Sequence, residues 1–458
     1  MESSGGRKRR PLLWLIAGAA LLLGMAAFVA VSLGYGPPRF HLWVLVLTTL
    51  AHTVVVWRLA SSADSRWRVA YILLVGLLLR ATLFLMPTAR TSDYHRYLWD
   101  GALVAHGISP YRWTPEQALE GKVPPDVRRL ATEGRAILEG VNHPDLRTIY
   151  PPVAQAFFAL SYWLKPFSPG AWRVFLLALD LAAFVLIWRL LKTAALPLAW
   201  LTAYFWNPLL LVETYHNRHV DLVMAPFLAL LIWGLWRKRP WLAGLGLSLA
   251  AAVKIWPALL FPFLVWRFAG DRRRLVQVLA ISLISAALLF LPYWASLGSE
   301  TTSGTLAYAQ SWRANELAFQ ALYRAGRAVE KLIDYRVAAD VIARTTVMAL
   351  LLAASCWLAA KTRRAEVADL ARAASAVVLL MLLVGPTVYP WYFTPAVVLA
   401  GLSATSGVIA WTVFLPLTAL SGSRPSPSLP LIAVHLVGWL LFAAQLWHFQ
   451  RLENRRNA

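Results

Sequence analysis

Arg90-Thr-Ser-Asp-Tyr-His-Arg-Tyr-Leu-Trp-Asp-Gly101 follows directly on an apolar run over residues 69–87. That run is long enough to cross a bilayer, since a spanning helix needs about 17–25 largely apolar residues. The segment after it sets two carboxylates, Asp93 and Asp100, among Arg90, His95 and Arg96. Charged groups facing hydrocarbon cost roughly 2.5–3.5 kcal/mol each on insertion scales. The junction therefore reads as a membrane helix opening into a polar surface segment with chemically capable side chains. The rest of the chain repeats this alternation of long apolar runs with short charged ones.

The 458 residues are 59% hydrophobic and only 14% charged. Backbone amides in lipid must be satisfied within the segment, so such a composition predicts spanning helices. The expectation is an all-α polytopic membrane protein forming a single integral-membrane domain over residues 1–458. The 23 Trp and 15 Tyr suit the aromatic belts at the two interfaces. A net charge of +22 can signal a polyanion partner. Here the excess sits in short loops between apolar runs, as the positive-inside rule requires, and no nucleic acid is expected. The single cysteine, Cys356, excludes an intramolecular disulfide and a cysteine-based metal site. Arg7–Arg10 followed by an apolar run from Pro11 to about Leu33 resembles a signal peptide. The run exceeds the usual ~7–15 residues of a signal core, so an uncleaved first span is expected.

Arg7–Arg10, Arg58–Arg68, Arg189–Lys192, Arg237–Arg239, Arg267–Arg274, Lys361–Arg364 and Arg451–Arg456 are the basic segments. Setting all of them on the cytoplasmic side demands an even number of crossings between neighbours. Spans near 12–33, 40–57, 69–87, 171–188, 197–212 and 219–236 satisfy this, followed by two short helices over 241–266 broken at Lys254-Ile-Trp-Pro257. Proline disfavours helix in the preceding residue and lacks a donor, which motivates the break. Spans near 274–295, 343–360, 370–386, 391–405, 407–421 and 428–448 complete the set. The total is about fourteen transmembrane or re-entrant helices with both termini cytoplasmic. Residues 150–163 are too short to span and are expected to be re-entrant or interfacial, with Pro151 and Pro152 at a helix start. Two long polar segments, 88–149 and 297–342, show helical periodicity and fall in this topology on the extracytoplasmic side.

Every polar cluster that is not simply basic falls on that same side. One acid among several cations at a membrane surface suits transfer of a sugar from a lipid phosphate to a hydroxyl. A base must take the acceptor proton, while a phosphate leaving group needs cations and no strong acid. Asp93 is the candidate base, its alternative being the N-cap of a helix over 94–105. Asp100 lies on the same helical face and reads as an ion-pair or structural partner. In Glu213-Thr-Tyr-His-Asn-Arg-His-Val-Asp221, the residues His216, Arg218, His219 and Asp221 admit three readings: metal ligands, phosphate or sugar contacts, or a polar turn. A catalytic zinc usually takes three protein ligands, and no His-Glu-x-x-His motif is present.

Lys254 and Arg80 are candidate phosphate partners, Lys254 with snorkelling as its alternative. Arg80 falls inside the third span, where an ionisable group is a functional hypothesis by default. Arg96 belongs with these cations. Tyr389, Trp391 and Tyr392 either stack on a sugar or belong to an aromatic belt. No glycine-rich phosphate loop occurs, so no nucleotide donor and no cofactor are expected, and no motif supports a divalent cation.

Ser92-Asp-Tyr-His-Arg-Tyr-Leu-Trp-Asp-Gly101, Gly107-Ile-Ser-Pro-Tyr111, Arg147-Thr-Ile-Tyr-Pro-Pro152, His216-Asn-Arg-His-Val-Asp221 and the Val253-Lys-Ile-Trp-Pro257 break together resemble the bacterial polyprenyl-phosphate-mannose-dependent mannosyltransferases. These are integral-membrane glycosyltransferases of the GT-C fold, and the resemblance runs from about 70 to 400. It implies an acid in the first large outer loop, matching Asp93, acting as base with inversion at the anomeric carbon. It implies a polyprenyl tail in a groove between spans, a glycan or glycolipid acceptor, and a bacterial plasma-membrane location. Such enzymes usually carry the acid after their first span. Here it follows the third, which implies two additional N-terminal helices. Arg218 stands where a small residue is common. By this association the sugar is mannose, with arabinose or another hexose as alternatives. A transporter or flippase of lipid-linked sugars is the rival reading, suggested by the broken helix pair. A non-catalytic assembly subunit of the same fold is a second.

Overall fold

The computed structural model describes residues 4–457 except 36, 38, 63, 85, 87–90, 295–303, 334–338, 406 and 421–427. Arg90 of the opening segment thus lies outside the described residues, as do parts of the second long loop. Among the described residues there are helices and no strands, with one isolated bridge between Ala314 and Thr387.

Among the described residues, eight helices are long and apolar enough to cross a membrane: Pro11–Ser32, Phe40–Leu59, Arg66–Phe84, Pro169–Thr193, Arg272–Leu291, Ala339–Lys361, Val367–Val384 and Leu429–Arg451. Each corresponds to one continuous span expected from the sequence. They turn apolar side chains outward, as a lipid-facing surface does. Val276, Leu283, Ile284 and Leu288 of one helix are all exposed. Val367–Val384 is the exception and runs through the middle, with Ala373, Val377, Leu379 and Leu383 buried.

The remaining six apolar segments are short or broken, so the membrane-length helices among the described residues number eight, or nine if one bent pair counts as a span. That pair, Pro208–His216 and Val220–Trp236, bends by 111°. Its cause is local. Asn207 caps the first helix by accepting from the Leu210 N–H at 3.0 Å, with Pro208 at the first helical position. The helix widens into a π turn over Val212–His216. It then stops at Arg218, whose φ of 66° lies in the left-handed region that non-glycine residues rarely adopt. The break expected at Lys254-Ile-Trp-Pro257 is present between helix Pro240–Ala251 and the helical turn Trp256–Leu260.

Residues 150–164 form a helix, Pro152–Leu164, with Pro152 in its first turn. Its Val153 N–H donates to Ala252 O at 2.9 Å, so its start is fixed against the Lys254 break. It packs on helix Asp93–Ala105, where an added Cβ at Gly101 would lie 2.4 Å from Phe158 O. Only glycine fits that approach. The first long loop closes over the junction with its own small core of Trp99, Leu103, Val127, Leu130 and Leu138.

Three basic helix ends meet at one point. The Arg267 guanidinium donates to Leu235 O, Trp236 O, Arg363 O and Ala365 O, tying three helix ends together. His219, Lys254 and Tyr389 lie beyond the opposite ends of these helices, Ala225–Trp236, the Trp256–Phe268 stretch and Val367–Val384. One Arg and one Asp sit within the bundle itself. The Arg80 Nη2 is 2.7 Å from Asp180 Oδ2, and both side chains are inaccessible. The Tyr204 and Tyr215 hydroxyls donate to the same carboxylate, and Arg80 Nη1 donates to Gly76 O and Phe205 O.

Candidate active site

A cavity of about 570 Å³ opens where the first long loop, the Lys254 break and the segment 389–392 meet. Asp93, Arg96, Asn142, His143, Arg147, Lys254, Tyr389, Trp391 and Tyr392 are among the residues lining it. The second long loop contributes Tyr308 and Trp312. That loop is fixed by the bridge, with Val388 N–H donating to Ala314 O at 2.8 Å.

Asp93 is the first residue of its helix and Ser92 holds the cap position, so the carboxylate is not spent on capping. It accepts from Asn142 Nδ2 at 2.7 Å. Burial pushes its pKa above the usual carboxylate range, while the Asn142 hydrogen bond and the charges of Lys254, His143 and Arg96 oppose the rise. Its side chain keeps 24% exposure, so the cavity reaches it. A partly desolvated carboxylate of raised basicity is what a general base requires.

His219 is buried behind Asp93, with Nδ1 3.6 Å from Asp93 Oδ2 and Nε2 3.5 Å from Glu213 Oε2. Its ring stacks on Trp391 at 4.0 Å, and Trp391 stacks on Tyr389 at 4.3 Å. Tyr389, Trp391 and Tyr392 thus form one wall of a polar cavity. The Lys254 ammonium pairs with Asp221 Oδ1 at 2.6 Å and sits 4.0 Å over the Tyr392 ring. Tyr392 in turn hydrogen-bonds the Tyr308 hydroxyl at 2.8 Å.

The other sequence candidates are engaged differently. Arg96 lines the cavity, but its guanidinium donates to Leu146 O, Asn142 O and His143 O, holding the loop that carries Asn142. Arg80 is not among the lining residues and pairs with Asp180 inside the bundle. The left-handed turn at Arg218 separates His216 from His219, and the His216 ring lies 6.0 Å from Phe28 of the first helix. Asp100 is buried one turn beyond Arg96 and accepts from Gln155 Nε2 at 3.0 Å, its pKa raised by burial to about 6. Among the described residues, no group of three His, Cys, Asp or Glu side chains converges as a metal site would.

Asn142, Glu213, Tyr308 and Trp312 join the site from outside the sequence candidates. Only Glu213 had a local signal, as a carboxylate in an otherwise apolar run.

A second cavity of about 570 Å³ is lined mainly by apolar side chains, including Leu247, Ala251, Ala258, Phe261, Leu279 and Leu283. Lys254 lines the polar cavity, and Ala251 and Ala258, three and four residues from it in the chain, line the apolar one.

An all-helical polytopic membrane protein whose polar cavity lies at one end of the bundle, beneath helical loops, is of the GT-C glycosyltransferase type. The sequence profile of Glycosyltransferase family 87 matches residues 148–386, just over half of the chain, and the chain belongs to that family. No curated protein matches it. The matched stretch carries Glu213, His219, Asp221 and Lys254. Asp93 and the 389–392 wall fall outside it, and the fold brings both against it.

Proposed function

We propose that the protein transfers a sugar, mannose by the resemblance noted above, from a polyprenyl-phosphate carrier to a hydroxyl of a glycan or glycolipid. Asp93 takes the acceptor proton as the acceptor oxygen bonds to the anomeric carbon. The bond from that carbon to the phosphate oxygen breaks, its electron pair leaves on the phosphate, and configuration inverts. Lys254 neutralises the phosphate, with His143 and Arg147 on the same cavity. A cation so held lowers the cost of the departing charge. Tyr389 and Trp391 offer the sugar an aromatic edge, and the apolar cavity beside Lys254 suits the polyprenyl tail. Arg80 and Arg96 take part by holding the fold, His219 stands behind Asp93, and His216 is turned toward the first helix and takes no direct part.

One observation carries this reading. A carboxylate of raised basicity and a lysine at a helix break share one polar cavity, and an apolar cavity adjoins the lysine. The basic stretches around Arg237, Arg267 and Arg363 meet at the far ends of the helices that lead from His219, Lys254 and Tyr389, which by the positive-inside rule supports the extracytoplasmic face of a bacterial plasma membrane for the site.

The test uses purified protein in lipid vesicles, polyprenyl phosphates carrying labelled mannose, arabinose or glucose, and a membrane lipid extract as acceptor. Label moving to a new lipid or glycan with release of polyprenyl phosphate is the expected result. Labelled donor crossing the vesicle intact would replace the transferase with a flippase.

A further inference from the structure

Helix Ala318–Ile333 of the second long loop divides its surface into three stripes. Phe319, Tyr323, Gly326 and Glu330 recur at helical spacing and turn inward. Phe319 is fully buried, and a Cβ added at Gly326 would lie 3.2 Å from that of Ala339. Arg324, Arg327 and Lys331 form a second stripe, which is exposed. Ala321, Ala325, Ala328 and Leu332 form a third, also exposed, with Val329 beside it. Leu332 is 85% exposed and Val329 48%.

The inward stripe puts this helix at a membrane surface. Its neighbour, Ala339–Lys361, is one of the spanning helices, and its 23 residues are enough to cross a bilayer. The contacts fall on the first two turns of that span. Gly326 meets Ala339, Glu330 accepts from the Ala339 N–H at 2.6 Å, and the Arg344 guanidinium lies 5.3 Å from the Phe319 ring. Arg344 also donates to Trp312 O at 3.3 Å, so the surface concerned is on the side of the active cavity.

A helix packed on one face and otherwise in water carries polar residues over the rest of its surface. Here an apolar stripe adjoins a basic one instead. In an interfacial helix both find their medium, because apolar side chains enter the acyl boundary while Lys and Arg meet the headgroups. The sign of the charge selects the headgroup. Glu330 is the single carboxylate of the helix, and it pairs with Arg327 at 2.8 Å while capping the span at Ala339. Three cations on the side of the site run against the positive-inside bias. Anionic headgroups supply their counter-charge.

We propose that helix Ala318–Ile333 lies in the leaflet on the side of the active cavity, with its apolar stripe in the acyl boundary and Arg324, Arg327 and Lys331 on anionic phospholipid headgroups. This lipid-binding surface is separate from the cavity and independent of the reaction proposed above.

The experiment places an environment-sensitive fluorophore at Leu332→Cys in the full chain, reconstituted in vesicles, with Cys356→Ser removing the native thiol. Both side chains are exposed, so neither change touches the packing. Quenching is measured with iodide in the water, and with phosphatidylglycerol or phosphatidylcholine spin-labelled near the headgroup at equal mole fraction. The expected result is protection from iodide, quenching by both lipids, and stronger quenching by phosphatidylglycerol. One basic residue at an anionic surface is worth about fivefold in local enrichment. Adding Arg324→Gln and Lys331→Gln, both exposed, is therefore expected to bring the two lipids level. Quenching by iodide and by neither lipid puts the helix in water and overturns the proposal. Equal quenching by the two lipids before the charges are removed, or a preference that survives their removal, overturns the anionic surface. Protection from iodide and from both lipids means that a second copy or another protein covers the stripe, and overturns it as well.

Discussion

Lys254 Nζ lies 2.6 Å from Asp221 Oδ1, and the carboxylate side of the pair is only 2% exposed. Deleting the lysine leaves that carboxylate buried and unpaired, which costs about 3–5 kcal/mol in comparable buried pairs. Lys254→Met is therefore expected to lower the thermal midpoint and to weaken binding of a polyprenyl-phosphate sugar. Lys254→Met with Asp221→Asn removes the unpaired charge and is expected to recover the midpoint without recovering the binding. Recovery of both would mean that Lys254 does not meet the donor.

The pair of Arg80 and Asp180 leads to a different expectation, because it lies within the bundle and away from the cavity. Arg80→Met is expected to destabilise the protein by about 3–5 kcal/mol, as for other broken buried pairs. Replacing both partners with apolar residues should restore much of this. The two tyrosines donating to Asp180 lose their acceptor in the double variant, so the recovery is incomplete. Donor affinity per folded molecule should stay unchanged. A selective loss of donor affinity in Arg80→Met, at full stability, would return this residue to the donor site.

Asp100 makes stability depend on pH in a defined window. Its carboxyl ionises near 3.8 when free and is raised by burial to about 6 in the fold. Between these values the folded state keeps a proton that the unfolded state releases. Stability therefore falls as pH rises through the window from about 4 to about 6. Asp100→Asn cannot titrate and keeps an acceptor for Gln155. Its thermal midpoint should rise relative to wild type as pH increases across that window. A difference that stays flat with pH contradicts the assignment.

The eight continuous helices were legible because length and hydropathy alone specify a span, and each occurs where the apolar runs put it. The broken segments were harder. An apolar run of a given length reads the same whether its helix is straight or bent, and only a proline or a capping residue betrays the break. Pro257 did so, and the Lys254 break is present. The 111° bend after His216 rests on a left-handed Arg218, a conformation with no signature in that residue's chemistry.

The site divides along similar lines. Asp93 and Lys254 declared themselves as charges beside apolar runs, and they do face one cavity. The partner of Arg80 could not be read, since Asp180 is 100 residues away in the chain. Asn142 lies in a polar loop where an amide is unexceptional, and it reaches Asp93 only because Arg96 pins that loop by its carbonyls.

The central claim is that Asp93 is the base in sugar transfer, and its most direct test is single-turnover transfer by Asp93→Asn beside wild type. The amide keeps the size of the side chain and a partner for Asn142, so donor binding and the thermal midpoint should stay close to wild type. Its transfer rate should be lower by about 10²–10⁴-fold, the usual contribution of a general base. Transfer at the wild-type rate by Asp93→Asn, with donor bound, would contradict it.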